Sequence, residues 1–431
     1  MIMRLPTVTE AIRRIREGTL SPVEILESCL ARIRAVESTL RAWVYLDEAG
    51  ARAVARECLQ EAEAGRFRGS LHGIPVGIKD IFHVAGMPTT AGAGPFAHEA
   101  PTEDSTAARR LRVAGAVILG KTATTEFAHR DPAETRNPWN REHTPGGSSS
   151  GSAAAVAAGM VPLALGTQTA GSVLRPAAYC GIVGVKPTHG LVPTAGVIPL
   201  AWSLDHVGCL ACSVADAALG LGVLAGRELS ATAAPPAIGV PVTWVERAEP
   251  EVAEHVRQVA AQFAKAGARV EETTLPPSVG RIDEAGRNVM RVEAAAYHTE
   301  RFGSDLSHHR AGIAELIRSG LALPAVDYVR ANRARLQFQA ETAPLFERYQ
   351  VLLTPVAPAP APKGLASTGD PSFCAPWSFI GVPAIALPSG IAGSGLPLGV
   401  QLIAGAHRDE YLLGAAAWCE GVLGFTAAPT V

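Results

Sequence analysis

Lysine is scarce in this chain. Of its 38 lysines and arginines only five are lysines, namely Lys79, Lys121, Lys186, Lys265 and Lys363. Arginine keeps its proton at any working pH, whereas a lysine in apolar surroundings can lose its proton. A function that needs a basic amine must therefore use one of these five side chains.

Disulfide frameworks, membrane spans and an excess of positive charge are also missing. The seven cysteines are an odd number without framework spacing, and Cys209 and Cys212 form a lone C-x-x-C that favours core packing over zinc or redox chemistry. No apolar run reaches spanning length, and the N-terminal stretch MIMRLPTVTEAIRRIREG lacks the apolar core of a signal peptide. A net charge of −2 argues against nucleic-acid binding. We expect a cytoplasmic protein with a small-molecule partner and with no membrane or nucleic-acid partner.

Helical and strand patterns alternate along the sequence. Ser21 and Glu24 have the spacing of a capping box that opens a helix, and a further helix is expected over 47–64. Short apolar runs follow that are typical of buried strands, including LHGIPVGIK, AVILG, VLLTP, AIALPSG and GLPLGVQLIAG. This alternation predicts an α/β architecture. With no linker long enough to divide the chain, we expect one domain over 1–431, with a helical segment over 1–65 and a variable helical insertion over 240–349.

The stretch LALGTQTAGSVLRP surrounds one serine, Ser172, with small residues. Small side chains let successive backbone N–H groups turn toward one point, and such a cluster is suited to holding an anion. A plain turn rarely needs so many small residues inside an apolar stretch. Ser172 is therefore a candidate nucleophile.

Two other segments match well-known catalytic patterns. GAVILGKT, Gly115 to Thr122, fits the phosphate-binding P-loop expression, but its four intervening residues are strand-like and could not curl around phosphates. GSSSG, Gly147 to Gly151, fits a nucleophile elbow centred on Ser149, but a loop rather than a strand precedes it. We consider nucleotide binding unsupported, and a Ser-His-Asp hydrolase stays open as a minor alternative.

A third interpretation joins Lys79, the serines from Ser148 to Ser150, and Ser172. A serine hydroxyl is a poor nucleophile until a base takes its proton, and a neutral lysine in an apolar strand such as IPVGIKDIF can be that base. The neighbouring Asp80 would favour the charged amine unless strand alternation points it away. Each part also has a structural explanation: Lys79 as a strand-end lysine reaching solvent, and the serine-rich run as a flexible loop that caps a helix.

Taken in order, these segments resemble the amidase signature family. The matching stretches are LHGIPVGIKD, GAVILGKTATTEFA, the long run from NPWNREHTPGGSSSGS to GVKPTHG, SLDHVG, LLTPVAPAPAP and GVPAIALPSG with GLPLGVQLI. They cover nearly the whole chain and are most specific over 71–208. The resemblance implies a large mixed sheet flanked by helices in a single domain.

The resemblance also implies a Ser, cis-Ser, Lys triad. Residue by residue, it places the nucleophile on Ser172, the bridging serine on Ser148 and the base on Lys79, with Ser149 in support. An oxyanion hole would be formed by the backbone N–H groups of Thr169, Ala170, Gly171 and Ser172. The implied reaction passes through an acyl-enzyme that water hydrolyses, and it requires no metal and no cofactor.

The chain departs from the usual family pattern at four positions. Gln168 stands where an aspartate is common, and Ala170 and Ser150 stand where glycines are common. The arginine that usually follows the nucleophile by two positions is Arg175, three positions after Ser172. No backbone donor is lost by these changes, and we assign Arg175 no role from the sequence.

Apolar, aromatic segments favour an uncharged substrate. VIPLAWSLD and FCAPWSFIG are candidate pocket walls, with Trp202 and Trp377 as lining residues. We expect hydrolysis of neutral amides, anilides or related carbamates and esters with water, including aryl acylamidase, urethanase or esterase activity. The alternatives are an amidotransferase A-type subunit, which needs a partner protein, an allophanate- or biuret-type hydrolase, and a catalytically idle scaffold; a homodimer stays open.

Overall fold

The computed structural model describes residues 5–94, 100–229 and 232–431. Its α-helices are α1 (Val8–Arg16), α2 (Pro22–Leu40), α3 (Glu48–Glu63), α4 (Thr106–Val113), α5 (Ser150–Ala157), α6 (Leu174–Cys180), α7 (Val214–Ala225), α8 (Val242–Val245), α9 (Pro250–Lys265), α10 (Ile282–Phe302), α11 (Ala311–Leu321), α12 (Ala325–Arg348), α13 (Ala375–Phe379) and α14 (Asp409–Leu423). Short 3-10 turns lie at Glu126–Ala128 and Pro277–Arg281. The strands are β1 (Trp43–Leu46), β2 (Pro75–Lys79), β3 (Val117–Thr122), β4 (Leu163–Gln168), β5 (Val183–Lys186), β6 (His206–Ala211), β7 (Ala237–Pro241), β8 (Arg269–Thr273), β9 (Val351–Pro355), β10 (Ala384–Ile391) and β11 (Pro397–Ile403).

These eleven strands form one mixed sheet within the described residues. Their order is β1-β3-β2-β4-β6-β5-β10-β11-β9-β7-β8. The neighbours β3-β2-β4 are parallel, as are β9-β7-β8, and the remaining neighbours are antiparallel. Helices cover the sheet in a single domain, so the predicted α/β class and mixed sheet are confirmed.

The helix starts follow the sequence signals. The Ser21 hydroxyl accepts from the Glu24 N–H, and the Glu24 carboxylate accepts from the Ser21 N–H, which completes the predicted capping box of α2. The Asp47 carboxylate accepts from the Gly50 N–H at the start of α3. None of the helices in the described residues combines the length and the apolar character of a bilayer span.

The sheet brings two segments with candidate catalytic residues together at the carboxyl ends of its parallel strands. Because β2 and β4 are parallel neighbours, with Ile78 opposite Leu165, their carboxyl ends lie side by side. Strand β2 ends at Lys79, and β4 ends at Gln168, immediately before the loop that holds Ser172. Loops at the carboxyl ends of parallel strands commonly form binding sites in α/β proteins.

The serine-rich run leads into helix α5, which packs against β2 and β4. The first three alanines of α5 are buried, and a Cβ added at Gly151 would lie 2.2 Å from the Ala42 carbonyl oxygen and 2.3 Å from the Ala123 nitrogen. Only glycine lets the helix approach the backbone this closely. The GSSSG run is therefore fixed by packing.

Candidate active site

Lys79 lies inside the protein with no exposed surface. Its Nζ donates to the Ser148 Oγ at 2.7 Å and to the Thr167 Oγ1 at 2.9 Å. Burial lowers the pKa of the Lys79 amine to about 7, and the charge of Asp205 opposes this shift in part. An amine with this pKa is available in both its neutral and its charged form near neutral pH.

Asp80 does not neutralise the Lys79 side chain as an ion-pair partner. Its carboxylate instead accepts from the Lys121 Nζ at 2.8 Å, and both of these groups are fully buried. The expectation that strand alternation turns Asp80 away from Lys79 is thus confirmed. Lys121 belongs to strand β3, which confirms that the P-loop-like segment is part of the sheet.

The serine run follows a loop and meets the Ser172 segment. The peptide bond between Gly147 and Ser148 is cis, and α5 begins two residues later. The Ser149 N–H donates to the Ser172 carbonyl oxygen at 3.3 Å, and the Thr167 N–H donates to the Ser149 Oγ at the same distance. Ser172 keeps 8% of its surface exposed. The structure therefore brings all four predicted residues, Lys79, Ser148, Ser149 and Ser172, into one cluster.

The loop after β4 presents unbonded backbone donors. Within the described residues, the N–H groups of Thr169, Ala170, Gly171 and Ser172 have no protein acceptor. The next two, of Val173 and Leu174, donate to the Gln168 Oε1 at 2.9 and 3.0 Å. The four groups predicted as an oxyanion hole are thus free for a ligand, while the Gln168 side chain satisfies the start of α6.

Gln168 also holds the outer side of this loop. Its Nε2 donates to the Ser378 Oγ at 2.9 Å, and that hydroxyl donates to the Ala170 carbonyl oxygen at 2.7 Å. This chain of bonds turns the Ala170 carbonyl toward α13. The glutamine that replaces the family's aspartate therefore fixes the loop.

Arg175 has a position that the sequence did not predict. It is buried, its Nη2 donates to the Gly147 carbonyl oxygen at 2.7 Å, and its Nη1 donates to the Gly369 carbonyl oxygen at 2.8 Å. Nη2 also donates to the Thr368 Oγ1 at 3.0 Å. Arg175 therefore ties the cis peptide to the loop at 368–369 through its two Nη groups, while its buried Nε has no hydrogen-bond partner in the described residues.

A cavity of about 30 Å³ adjoins the cluster on the side of Thr167. Trp202 lines it and is 49% exposed, whereas Trp377 is fully buried against Phe338 and Phe346. Trp377 is not part of this wall, and its role in lining a substrate pocket stays a prediction. No arginine or lysine belongs to the wall, which in the described residues consists of Ile81, Ala128, Thr167, Thr194, Val197, Ile198, Pro199, Leu200, Trp202, Asp205 and His206.

One group of side chains in the described residues has metal-ligand proximity, and it lies apart from this cluster. It comprises Cys58, Glu61 and His72. The His72 Nδ1 accepts from the Arg68 N–H at 3.1 Å, and its Nε2 lies 2.8 Å from the Cys58 carbonyl oxygen. Both ring nitrogens are engaged, so this group is a structural contact.

The model of the family described as Amidase matches residues 24–413. The chain belongs to the amidase signature family. It is 38% identical over 463 aligned residues, 94% of each chain, to the glutamyl-tRNA(Gln) amidotransferase A-type subunit of Roseiflexus castenholzii. A solved structure described as a crystal structure of amidase has a TM-score of 0.89 and 34% identity, with 96% of this chain and 99% of that chain covered. The peptide amidase PAM in complex with chymostatin has a TM-score of 0.87 and 30% identity, with 99% of both covered.

Proposed function

We propose that this member of the amidase signature family is a serine amidohydrolase that forms an acyl-enzyme on Ser172. Neutral Lys79 accepts a proton from Ser148 while Ser148 accepts the proton of Ser172, whose Oγ attacks the amide carbonyl carbon. The carbonyl oxygen gains negative charge and binds the free N–H groups of the loop after β4. The relay then returns the proton to the leaving amine, and water hydrolyses the ester in a second round.

The contact between the Lys79 Nζ and the Ser148 Oγ is the single observation that carries this proposal. A buried amine 2.7 Å from a hydroxyl can act as a base only if its pKa lies near the working pH, and burial brings the pKa of Lys79 to about 7. The family membership supports amide chemistry independently. Burial of an ionisable amine costs folding free energy, which argues against a scaffold without catalytic activity.

A Ser-His-Asp mechanism has no support in the geometry. The His206 Nδ1 lies 3.1 Å from the Gln168 carbonyl oxygen, and no histidine in the described residues hydrogen-bonds to Ser149 or Ser172. Burial lowers the pKa of His206 well below its ordinary value. This ring is therefore a neutral structural group.

Neutral amides, anilides and carbamates are the substrates that the side chains around the cluster favour, although the cavity of about 30 Å³ has room for only about one or two water molecules before a substrate binds. The cavity wall is mainly apolar and includes the exposed Trp202, and the two Nη groups of Arg175 are already bonded to protein carbonyls. A substrate carboxylate would lose its hydration here without gaining a cationic partner from the described wall.

The second candidate function is that of an amidotransferase A-type subunit, which would release ammonia from glutamine for a partner protein. The name of the Roseiflexus castenholzii relative favours it. An allophanate- or biuret-type hydrolase uses the same nucleophile and carbonyl chemistry. These candidates differ from the first in the acyl group that the pocket accepts.

A substrate panel separates the candidates. Purified wild-type protein is assayed with an aryl anilide, an aryl carbamate, allophanate, biuret and glutamine. The Ser172→Ala variant, assayed with the same substrates, is the control. Turnover of the neutral anilide or carbamate, lost in the variant, is the expected result. Glutaminase activity alone would favour the amidotransferase A-type subunit over the neutral-amide hydrolase. Turnover of allophanate or biuret alone would favour the allophanate- or biuret-type hydrolase.

A further inference from the structure

Asp205 lies directly across from the loop that holds the free N–H groups. In the antiparallel pairing of β4 with β6, Thr167 is opposite Val207 and Gln168 is opposite His206. The residue before His206 is therefore opposite the residue after Gln168. Accordingly, the Thr169 hydroxyl donates to the Asp205 Oδ1 at 2.5 Å.

The Asp205 carboxylate is held rigidly. Its Oδ2 accepts from the N–H groups of Leu200 at 2.9 Å and Ala201 at 3.0 Å, and the residue is 7% exposed. Three donors thus fix both oxygens of this carboxylate, which lines the cavity. A carboxylate with three donors keeps its charge more easily than a bare one in the same place.

Two threonines connect this carboxylate to the base. Thr167 and Thr169 are two residues apart at the end of β4, so their side chains leave the same side of the strand. The Thr167 hydroxyl accepts from the Lys79 Nζ, and the Thr169 hydroxyl donates to Asp205. The amine and the carboxylate therefore flank one face of the strand end.

Within the described residues, Asp205 is the charged group that raises the pKa of Lys79 against the effect of burial. The Asp80 carboxylate is paired with Lys121, and His206, the next titratable side chain, is neutral. Lys186 and His189 face His206 rather than Lys79.

We propose that Asp205 is a positioning residue that holds Thr169 within the oxyanion loop and supplies the negative charge that stabilises the ammonium form of Lys79 when the base takes up its proton. This inference rests on the acyl-enzyme mechanism proposed above. Asp205 exchanges no proton in it: the proton moves from Ser172 through Ser148 to Lys79, and then to the leaving amine. Burial raises the pKa of Asp205 to about 6, so the carboxylate is ionised above that pH.

Asp205→Asn and Thr169→Val separate the two roles. The first removes the charge but keeps an acceptor for Thr169, whereas the second removes the hydroxyl contact but keeps the charge. Both variants are expected to lower kcat about tenfold or more. Without the carboxylate the pKa of Lys79 falls further, so the acidic limb of the kcat/KM profile of Asp205→Asn shifts to lower pH by about one unit. The limb of Thr169→Val stays at the wild-type pH.

The measurement is kcat/KM from pH 5 to 9 on the best substrate of the panel, with thermal unfolding to confirm that each variant is folded. Asp205→Ser, which keeps a hydroxyl acceptor, replaces Asp205→Asn if the latter does not fold. An unmoved acidic limb in the folded charge-removal variant would overturn the inference and leave the acyl-enzyme mechanism standing. Retained turnover in Ser172→Ala would instead overturn the mechanism itself.

Discussion

At the scale of single residues, three buried lysines differ in their hydrogen-bond partners and therefore in what their amines can do. Lys79, Lys121 and Lys186 are all fully buried, and each has different partners. Lys121 pairs with Asp80, and Lys186 donates to the carbonyl oxygens of Pro187 and Val382. Burial lowers the pKa of Lys186 to about 7, as it does for Lys79. Because a carbonyl has no proton to give, and because the Lys79 amine contacts the hydroxyl of Ser148, Lys79 is the one of these two amines that is placed to act as a base.

A buried lysine with a lowered pKa destabilises the fold in a pH-dependent way. The folded-state pKa of Lys79 is about 7 and the unfolded value is about 10.4, so the folded protein binds fewer protons between these values. The free energy of unfolding therefore rises with pH across this window. The cost is fully present below pH 7 and is gone above about pH 10.4.

Lys79→Met is therefore expected to stabilise the protein while abolishing turnover. We expect an increase of about 1–3 kcal/mol in the free energy of unfolding at pH 6 and a smaller one at pH 9, because methionine carries no charge to bury. Urea unfolding at the two pH values measures this. Lys186→Met is the matched control, which should keep turnover. A Lys79→Met protein that is less stable than wild type at pH 6 would contradict the argument.

The sequence identified the residues whose chemistry is local. Lys79 stands out because lysine is scarce, and Ser148, Ser149 and Ser172 lie in recognisable runs; their catalytic roles stay predictions. The contacts of Asp205 and Arg175 could not be predicted, because they join segments that are distant in the chain. The burial of Trp377 was not predictable, because an aromatic residue in an apolar run fits a core as well as a pocket.

At the scale of elements, the passage from β4 to α6 determines the candidate active site. The strand ends at Gln168, four free N–H groups follow, and the Gln168 side chain then satisfies the first N–H groups of the helix. One side chain thus fixes where the loop begins and where it ends. The loop is held in shape before any substrate binds.

Gln168→Ala is expected to lower the free energy of unfolding by about 2 kcal/mol and kcat by at least tenfold, with a smaller effect on KM. Two buried N–H groups lose their acceptor, and the loop that stabilises the oxyanion loses its support. Gln168→Glu keeps an acceptor at the start of α6 and should lose less stability. Thermal unfolding and steady-state kinetics test both, and equal stability loss in the two variants would count against the capping role.

Elements with strong boundary signals were predictable. The capping box of α2 and the apolar runs of β2, β3, β9, β10 and β11 have the structures that the patterns indicated. Strands β5 and β6 and helix α6 were not predicted, because glycine, proline and short length obscure their periodicity.

At the scale of the whole molecule, the sheet order depends on contacts that no local pattern encodes. Strand β6 lies between β4 and β5 and runs antiparallel to both, and this pairing places Asp205 opposite Thr169. The edges of the sheet are β1 and β8, which come from distant parts of the chain. The family resemblance predicted the mixed sheet, but not this order.

Amide hydrogen exchange should follow this architecture. We expect the slowest exchange in the central strands β2, β4 and β6, which are buried on both faces, and exchange at least tenfold faster in α12. Most of α12 faces solvent, with Val326, Val329 and Leu336 exposed. Exchange measured by mass spectrometry on peptides of these segments tests the expectation. Equal protection of α12 and β4 would contradict the solvent exposure of this helix.

Trapping of the acyl-enzyme tests whether Ser172 is the nucleophile. An activated aryl carbamate is mixed with the protein, the reaction is quenched within the burst phase, and peptides are mapped by mass spectrometry. A carbamoyl adduct is expected on Ser172 in wild type, and none in Ser172→Ala or Lys79→Ala. An adduct on Ser149, or turnover that persists in Ser172→Ala, would contradict it.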